Sequence, residues 1–367
     1  GINACFESLF ETGVDEMSWD DMSKNVIEWP TIDRAHDYRR QVYATVLALI
    51  ESHFDLADAH EPIRQDSPLW ALFMGFEHER IHLETSSVLI RELPIQLVAQ
   101  PEHWPDTAAL VNDAPNSSPL EGVHYPNNTL SHISAVSVSY GKPTDWPAYG
   151  WDNEYGIRNA RLSEFQASRF LISNGEFWQF INDGGYLQRD YWTEIGWRWR
   201  SFRNVKAPTF WVPDGPAGTH QYKLRTCFAV LPMQWSWPAV VNYHEAQAFC
   251  AWRSQRDHST YRLLTESEHQ ALRLSSNLAN DDRQSLVVPP PFNINLRHGS
   301  ECAVDAAKRV GYPFSDVFGN VWQWCEDHFN PLDGFKIHRY YDDFSTPCFD
   351  GQHQMILGGS FASTGAE

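Results

Sequence analysis

Apolar residues recur at intervals of three and four near the start of the chain. They are Ile32, Ala35, Tyr38, Val42, Val46 and Leu49. Because this spacing places them on one face of a helix, it predicts a long amphipathic helix that begins near Thr31 and ends near His53. The acidic stretch before it, residues 6–29, has no such period and predicts a loop.

A second helix is predicted over residues 67–93. Ser67 is a favoured N-cap residue, Pro68 suits the first helical position, and Pro94 ends the run. Its apolar stripe consists of Leu69, Leu72, Phe76, Leu83 and Ile90. Two long antiparallel helices joined by a polar loop predict a helical bundle.

The chain changes character beyond Pro94. Prolines are frequent as far as Pro147, which forbids long helices and predicts a connecting segment, in which residues 133–140 alternate as a strand does. Further on, short apolar or aromatic runs are separated by glycine, proline, asparagine and aspartate. Only residues 173–181 and 243–257 have a convincing helical period.

These patterns predict an α+β chain with two domains. The first, residues 1–125, is a helical bundle with its linker, and the second, residues 126–367, is a loop-rich mixed domain. The chain has 16 tryptophans, and aromatic residues make up 14% of it. Most tryptophans follow residue 140, which suits loops packed on a small framework because flat rings fill irregular gaps.

Composition excludes several partners. The chain carries 28 basic and 47 acidic residues, a formal net charge of -19, and no cluster of basic residues. Nucleic acid and anionic membranes are therefore not expected to bind. No apolar run approaches the roughly 20 residues that span a bilayer. No signal peptide opens the chain, and the six cysteines include no C-x-x-C pair, so a cytoplasmic protein with reduced thiols is expected.

His78 and His82 give the strongest chemical signal. Residues four apart share one helical face, with Cβ atoms about 6 Å apart, so both rings can bind one metal ion. The alternative is two ordinary histidines among the 16 of the chain. The stretch also matches the zinc-peptidase pattern H-E-x-x-H, with Glu79 as general base, although no third ligand follows at the metzincin spacing. Glu84 either fixes an imidazole tautomer or is a solvated helix charge.

Five segments resemble the successive signatures of the formylglycine-generating-enzyme, or sulfatase-modifying factor, family, a C-type-lectin-like fold. They are Gly150-Trp151-Asp152-Asn153-Glu154, Ser173-Asn174-Gly175-Glu176-Phe177, Arg262-Leu263-Leu264-Thr265-Glu266-Ser267-Glu268, Phe318-Gly319-Asn320-Val321-Trp322-Gln323-Trp324 and Gly358-Gly359-Ser360-Phe361. Joined to a DinB-like bundle with H-x-x-x-H-x-E, this domain resembles the non-haem iron sulfoxide synthases of thiohistidine biosynthesis. Residues 13–21, 78–87 and 341–347 resemble the ovothiol branch more than the ergothioneine branch.

The resemblance implies an Fe(II) enzyme that uses O2 to join the sulfur of L-cysteine to C5 of the L-histidine imidazole, giving 5-histidylcysteine sulfoxide. The family holds its iron with three histidines. The first would lie upstream of residue 1, so His78 and His82 are the expected ligands here, and His36 and His53 are not. Both ends of the chain are interpreted as cut, and the C-terminal methyltransferase domain of complete ovothiol enzymes is absent.

The resemblance also implies a tyrosine from the second domain that delivers a proton or an electron near the iron. Tyr340 and Tyr341 are the candidates, and the alternative for each is a core residue. Trp322 and Trp324 are assigned to packing, because the family signature is chiefly structural there.

Substrate contacts are expected from two further places. Asp15 and Glu16 lie where the ergothioneine branch carries arginines. Acidic side chains there would favour the amino group of a free amino acid, and the alternative is a solvated acidic loop. Gln352 and Gln354 are candidates for the histidine pocket.

Four other functions compete with this interpretation. An ergothioneine-type sulfoxide synthase shares the same chemistry. Formylglycine generation needs a pair of active-site cysteines, whose positions Cys325 and Cys348 do not match. A zinc-dependent hydrolase would use H-E-x-x-H, and a non-catalytic binding module is open because lectin-like domains often only bind ligands.

Overall fold

The computed structural model describes residues 2–10, 29–53, 63–67, 69–146, 148–276, 292–307, 312–342 and 344–363. Within these ranges the chain forms seven α-helices: α1 (Ala4–Leu9), α2 (Ile32–His53), α3 (Trp70–Glu92), α4 (Asn174–Asn182), α5 (Glu194–Phe202), α6 (Tyr243–Asp257) and α7 (Glu266–Ser275). The same ranges contain nine strands: β1 (Leu130–Ile133), β2 (Val136–Tyr140), β3 (Arg158–Leu162), β4 (Phe165–Ser168), β5 (Trp211–Pro213), β6 (Tyr222–Arg225), β7 (Val230–Pro232), β8 (Gln323–His328) and β9 (Gln354–Leu357).

The two long helices of the first hundred residues are confirmed as α2 and α3. Helix α3 begins three residues later than expected, because its N-cap is Leu69 rather than Ser67. The Ser67 hydroxyl instead accepts a hydrogen bond from the Leu69 amide at 3.2 Å. Their assembly into a DinB-like bundle stays a prediction.

The loop expected over residues 6–29 is wrong in its first part. Helix α1 occupies residues 4–9, because the Asn3 side chain caps it by accepting hydrogen bonds from the amides of Cys5 and Phe6. The Phe6 ring packs on Tyr38 of α2 with centroids 5.0 Å apart. Residues 11–28 lie outside the described part of the chain.

The strands form four small antiparallel sheets, paired as β1–β4, β2–β3, β5–β6–β7 and β8–β9. The strand expected over residues 133–140 is confirmed over Val136–Tyr140 and wrong at its start, because the chain leaves one sheet after Ile133 and enters another at Val136. The mixed content confirms the α+β class.

Four short helices pack among these sheets. Helices α4 and α6 were expected, and α5 and α7 were missed. Three of the four begin with a capping box, in which the N-cap side chain and a glutamate three residues later bind each other's backbone amides. The pairs are Ser173 with Glu176, Asn242 with Glu245 and Thr265 with Glu268.

The main core is aromatic, as the composition predicts. Its tryptophans bury their rings and direct their indole N–H groups to backbone carbonyls or polar side chains, as a buried indole requires. Trp235 donates to the carbonyl of Pro115 and Trp211 to the side chain of Asn174. Loops are thereby fixed without long sheets.

Asn320 joins three loops of the second domain. Its side chain accepts a hydrogen bond from the Cys302 amide at 2.9 Å and donates to the Cys302 carbonyl and the Asp316 carboxylate, each at 3.1 Å. Its own carbonyl accepts from the amide of Phe361. This fully buried residue therefore holds the 358–361 segment in place.

The Asp316 carboxylate makes the stability of this domain dependent on pH. Burial raises the pKa of Asp316 to about 7. The carboxyl group of Asp316 therefore binds its proton more tightly in the folded state than in the unfolded chain. Its contribution to stability consequently decreases as pH rises from about 4 to about 7. We expect Asp316→Asn to remove that part of the slope, since asparagine tolerates the φ of 50° found here. Urea midpoints of both proteins across this range would test it, and parallel curves would contradict it.

Candidate metal centre

His78 and His82 lie on one face of α3, as their spacing predicts. Their ring centroids are 4.5 Å apart and the rings are nearly perpendicular, at 82°. His78 is half-buried and His82 is exposed. Two imidazoles at this separation suit two neighbouring ligand positions of one ion. Among the described residues no third histidine, cysteine, aspartate or glutamate completes a metal-binding group with them.

Tyr341 brings a phenol from the second domain to this pair. Its ring centroid lies 6.0 Å from that of His78. The ring stacks on Phe344 at 5.0 Å and contacts Trp151 at 5.9 Å. Tyr340 differs, since it is 53% exposed and its hydroxyl accepts a hydrogen bond from Arg339. The structure therefore separates the two candidates by position.

Four partly or fully buried residues of α3 are spaced seven apart, which is nearly two helical turns. They are Trp70, Glu77, Glu84 and Arg91. The Trp70 ring is 1% exposed, and its N–H donates to the carbonyl of Gly150 at 3.1 Å. Phe76 and Leu83, expected in the apolar stripe, remain 50% and 37% exposed. The predicted apolar stripe of this helix is therefore wrong in part, because Phe76 and Leu83 do not lie on its buried face.

Glu84 links α3 to two family signatures of the second domain. One carboxylate oxygen accepts hydrogen bonds from the hydroxyls of Ser360 and Ser363, each at 2.5 Å. The other accepts from the indole N–H of Trp322 at 3.1 Å. Glu84 is therefore not a solvated charge, and both its oxygens are engaged by the second domain rather than by an imidazole. Trp322, expected only to pack, is a hydrogen-bond donor.

A pair of arginines fixes the C-terminal end of α3. Arg91 is 7% exposed, forms an ion pair with Glu301 and donates from Nε to the carbonyl of Arg225 at 2.6 Å. Arg225 returns hydrogen bonds to the carbonyls of Ile90, Arg91 and Leu93. A cation at these carbonyls also suits the helix dipole.

We expect Glu301→Gln to destabilise the protein by about 3–5 kcal/mol, because it leaves the buried Arg91 charge without its partner. Denaturant unfolding monitored by tryptophan fluorescence would measure the loss. Glu194→Gln is the matched control, since Glu194 makes its ion pairs with Arg189 and Arg198 in the exposed part of α5, and it should leave the midpoint unchanged. Equal midpoints for all three proteins would contradict the role of the pair.

Glu77 is a buried acid next to His78 that the sequence analysis missed. It is ion-paired with Arg80 at 2.5 Å. Burial raises the pKa of Glu77, against the opposing effect of Arg80. Its position, seven residues after Trp70 and seven before Glu84, was the sequence signal that could have indicated its burial.

The substrate-contact candidates lie elsewhere. Asp15 and Glu16 lie outside the described residues. Gln352 is exposed, in a turn whose amides donate to the Asp350 carboxylate. Gln354 lies in β9 with its amide nitrogen 2.9 Å from His328 Nδ1. Roles for these four residues in substrate binding stay predictions.

The second domain identifies the family. The sulfatase-modifying factor enzyme 1-like domain matches residues 123–366. The chain belongs to this family. Its C-type-lectin-like second domain is thereby confirmed.

No described helix is both long and apolar enough to cross a bilayer.

Similar proteins include two hercynine oxygenases and an ergothioneine biosynthesis protein. The chain is 29% identical to a hercynine oxygenase of Mycobacterium tuberculosis, over 58% of this chain and 48% of that one. It is also 29% identical to a hercynine oxygenase of Mycolicibacterium thermoresistibile, over 83% of this chain and 65% of that one. Ergothioneine biosynthesis protein 1 of Schizosaccharomyces pombe is 23% identical over 91% of this chain and 40% of its own. The chain therefore spans about half the length of the curated relatives it matches.

Proposed function

We propose that this chain is the catalytic part of a non-haem iron(II), O2-dependent sulfoxide synthase. It would join the thiol sulfur of a cysteine-type substrate to a ring carbon of a histidine-type substrate. The observation that carries the proposal is the contact of the Tyr341 ring with His78, 6.0 Å between ring centroids, in a domain of this family. His78 is in turn paired with His82 on α3. The names of the relatives support the same reaction class.

The histidine pair and Tyr341 have separate roles in this proposal. His78 and His82 would hold iron(II), with a third ligand from outside the described residues. When bound, iron(II) brings a thiolate and O2 together at one centre. The Tyr341 hydroxyl holds a proton that a phenol can release together with an electron. One thiol, one imidazole C–H and one O2 give one C–S bond, one sulfoxide oxygen and one water, so no further reductant is needed.

We infer that the acceptor is free L-histidine and the donor L-cysteine. The support is the likeness of residues 78–87 and 341–347 to the ovothiol branch. The second candidate acceptor is hercynine, which the names of two relatives favour. The two acceptors differ at the amino group, which is trimethylated in hercynine, so binding must distinguish an ammonium that donates hydrogen bonds from one that does not.

The test is an O2-consumption assay after anaerobic loading with iron(II). We expect uptake and coupled product only when cysteine and an imidazole substrate are both present. Mass spectrometry should find cysteine plus histidine, less two hydrogens and plus one oxygen. A higher kcat/KM for hercynine than for histidine would transfer the assignment to the ergothioneine branch. Hydrolysis without O2 by a zinc-loaded protein would refute both.

The cysteines argue against formylglycine generation. That chemistry needs reactive thiolates, whereas Cys325 is 1% exposed and burial raises the pKa of its thiol. All six cysteines of the chain are described, and each is a free thiol. The buried thiols of Cys227, Cys302 and Cys325 should resist alkylation in the folded protein, whereas the exposed Cys5 should react.

A further inference from the structure

The segment that carries Tyr341, described over residues 338–342 and 344–345, is irregular. Among its described residues the backbone forms two hydrogen bonds of its own, from the Tyr341 amide to the His338 carbonyl at 3.1 Å and from the Phe344 amide to the Tyr341 carbonyl at 3.5 Å. Such a segment has many alternative conformations unless its surroundings select one. The position of the phenol must therefore be fixed by contacts from outside the segment.

Asp152 contacts both ends of this segment. One of its carboxylate oxygens accepts a hydrogen bond from the Ser345 hydroxyl at 2.5 Å, and the other accepts from the His338 amide at 3.4 Å. Asp152 is itself 2% exposed. It begins a 3₁₀ turn whose preceding residue, Trp151, is held by the Glu154 side chain at 2.8 Å. The carboxylate is thus a fixed point for both ends.

Trp151, which precedes this anchor, and His338, which bonds to it, also contact the site. Trp151, directly before Asp152, stacks on Phe344 at 4.2 Å and meets the Tyr341 ring. His338 stacks on Trp70 of α3 with centroids 3.4 Å apart, and its Nε2 lies 2.8 Å from the carbonyl of Gln65. The segment is consequently tied to the helix that carries the histidine pair.

We propose that Asp152 is a positioning residue that fixes Tyr341 beside His78. This inference rests on the proposed function for its catalytic consequence, but not for its structural one. The hydrogen bonds of Asp152 go to Ser345 and to the His338 amide, and neither is a reacting group. It acts through the Tyr341 segment, by holding His338, three residues before Tyr341, and Ser345, four residues after it.

The test uses 3-fluorotyrosine incorporated at position 341 and observed by 19F NMR in the metal-free protein. In Asp152→Asn and Ser345→Ala we expect the resonance to shift and broaden, because an anchor of the segment is lost. Asp333→Asn, an exposed aspartate nearby in sequence, is the control and should leave the resonance unchanged. If Asp152→Asn does not fold, the 19F spectrum of Ser345→Ala alone tests the proposal. A resonance unaltered in the folded variants would overturn the proposal.

The loaded enzyme gives a second readout. We expect Asp152→Asn to lower the ratio of coupled product to oxidised cysteine by about tenfold, while the iron content stays the same. About tenfold corresponds to the loss of one hydrogen bond to a carboxylate. The double variant Asp152→Asn/Tyr341→Phe should give the same product ratio as Tyr341→Phe alone. A merely structural defect would lower both products together. If the parent protein forms no coupled product, the proposed function fails while the NMR result still judges Asp152.

Discussion

Replacing either His78 or His82 by alanine will abolish iron binding and O2-dependent coupling together. The two rings share one face of α3 and lie 4.5 Å apart, so each offers one of few nitrogen donors to the ion. Loss of one should weaken iron binding by at least about 100-fold, since changes to outer partners of ligands already cost 10–100-fold. Anaerobic titration with iron(II) and metal analysis of the purified variants measure this directly.

His36→Ala is the matched control. His36 is exposed on α2, and the family resemblance gives it no ligand role, so this variant should bind iron as the parent does. Full iron occupancy in both the His78 and His82 variants would refute the metal centre. Loss in all three would show that the assay reports a general instability.

Tyr341→Phe is expected to divert turnover from C–S coupling to oxidation of cysteine alone. Removing the hydroxyl leaves the ring stacked on Phe344 and next to His78, so packing is retained while proton and electron delivery is lost. General acid–base groups contribute about 10²–10⁴ in rate, so coupling should fall by about 100-fold. The product ratio, measured by mass spectrometry against O2 consumed, is the decisive quantity.

Tyr340→Phe separates this effect from a general loss of aromatic hydroxyls. Its side chain is exposed and turned to Arg339, so the product ratio should not change. An altered ratio for Tyr340→Phe with an unaltered one for Tyr341→Phe would reverse the assignment. Equal ratios for both variants and the parent would remove tyrosine from the mechanism.

The proximity of His78 and His82 could be predicted because a helix places residues four apart on one face, whatever surrounds it. Local spacing also gave α2, α3, α4 and α6, whose apolar or capping patterns are complete within the element. Helix α7 was missed although Thr265 and Glu268 form its capping box. A capping box indicates where a helix can begin, but without an extended apolar stripe it does not predict that a helix forms.

What joins the two domains could not be predicted, because it depends on residues far apart in sequence. Glu84 and Ser360 are 276 positions apart, and no local pattern relates them. The seven-residue spacing of the packing face of α3 was visible, but its polar members resembled a solvent-exposed face. The choice between Tyr340 and Tyr341 likewise required the turn that directs adjacent side chains to different surroundings.

Helix α3 is tied to the second domain near its start by Trp70, in its middle by Glu84 and at its end by Arg91. This has a consequence for recombination between relatives. A crossover placed in the proline-rich stretch after α3 would pair one parent's helix with another parent's serines and indole. A chimaera that keeps its activity would therefore have to change parents upstream of Trp70, so that helix and partner are inherited as a unit.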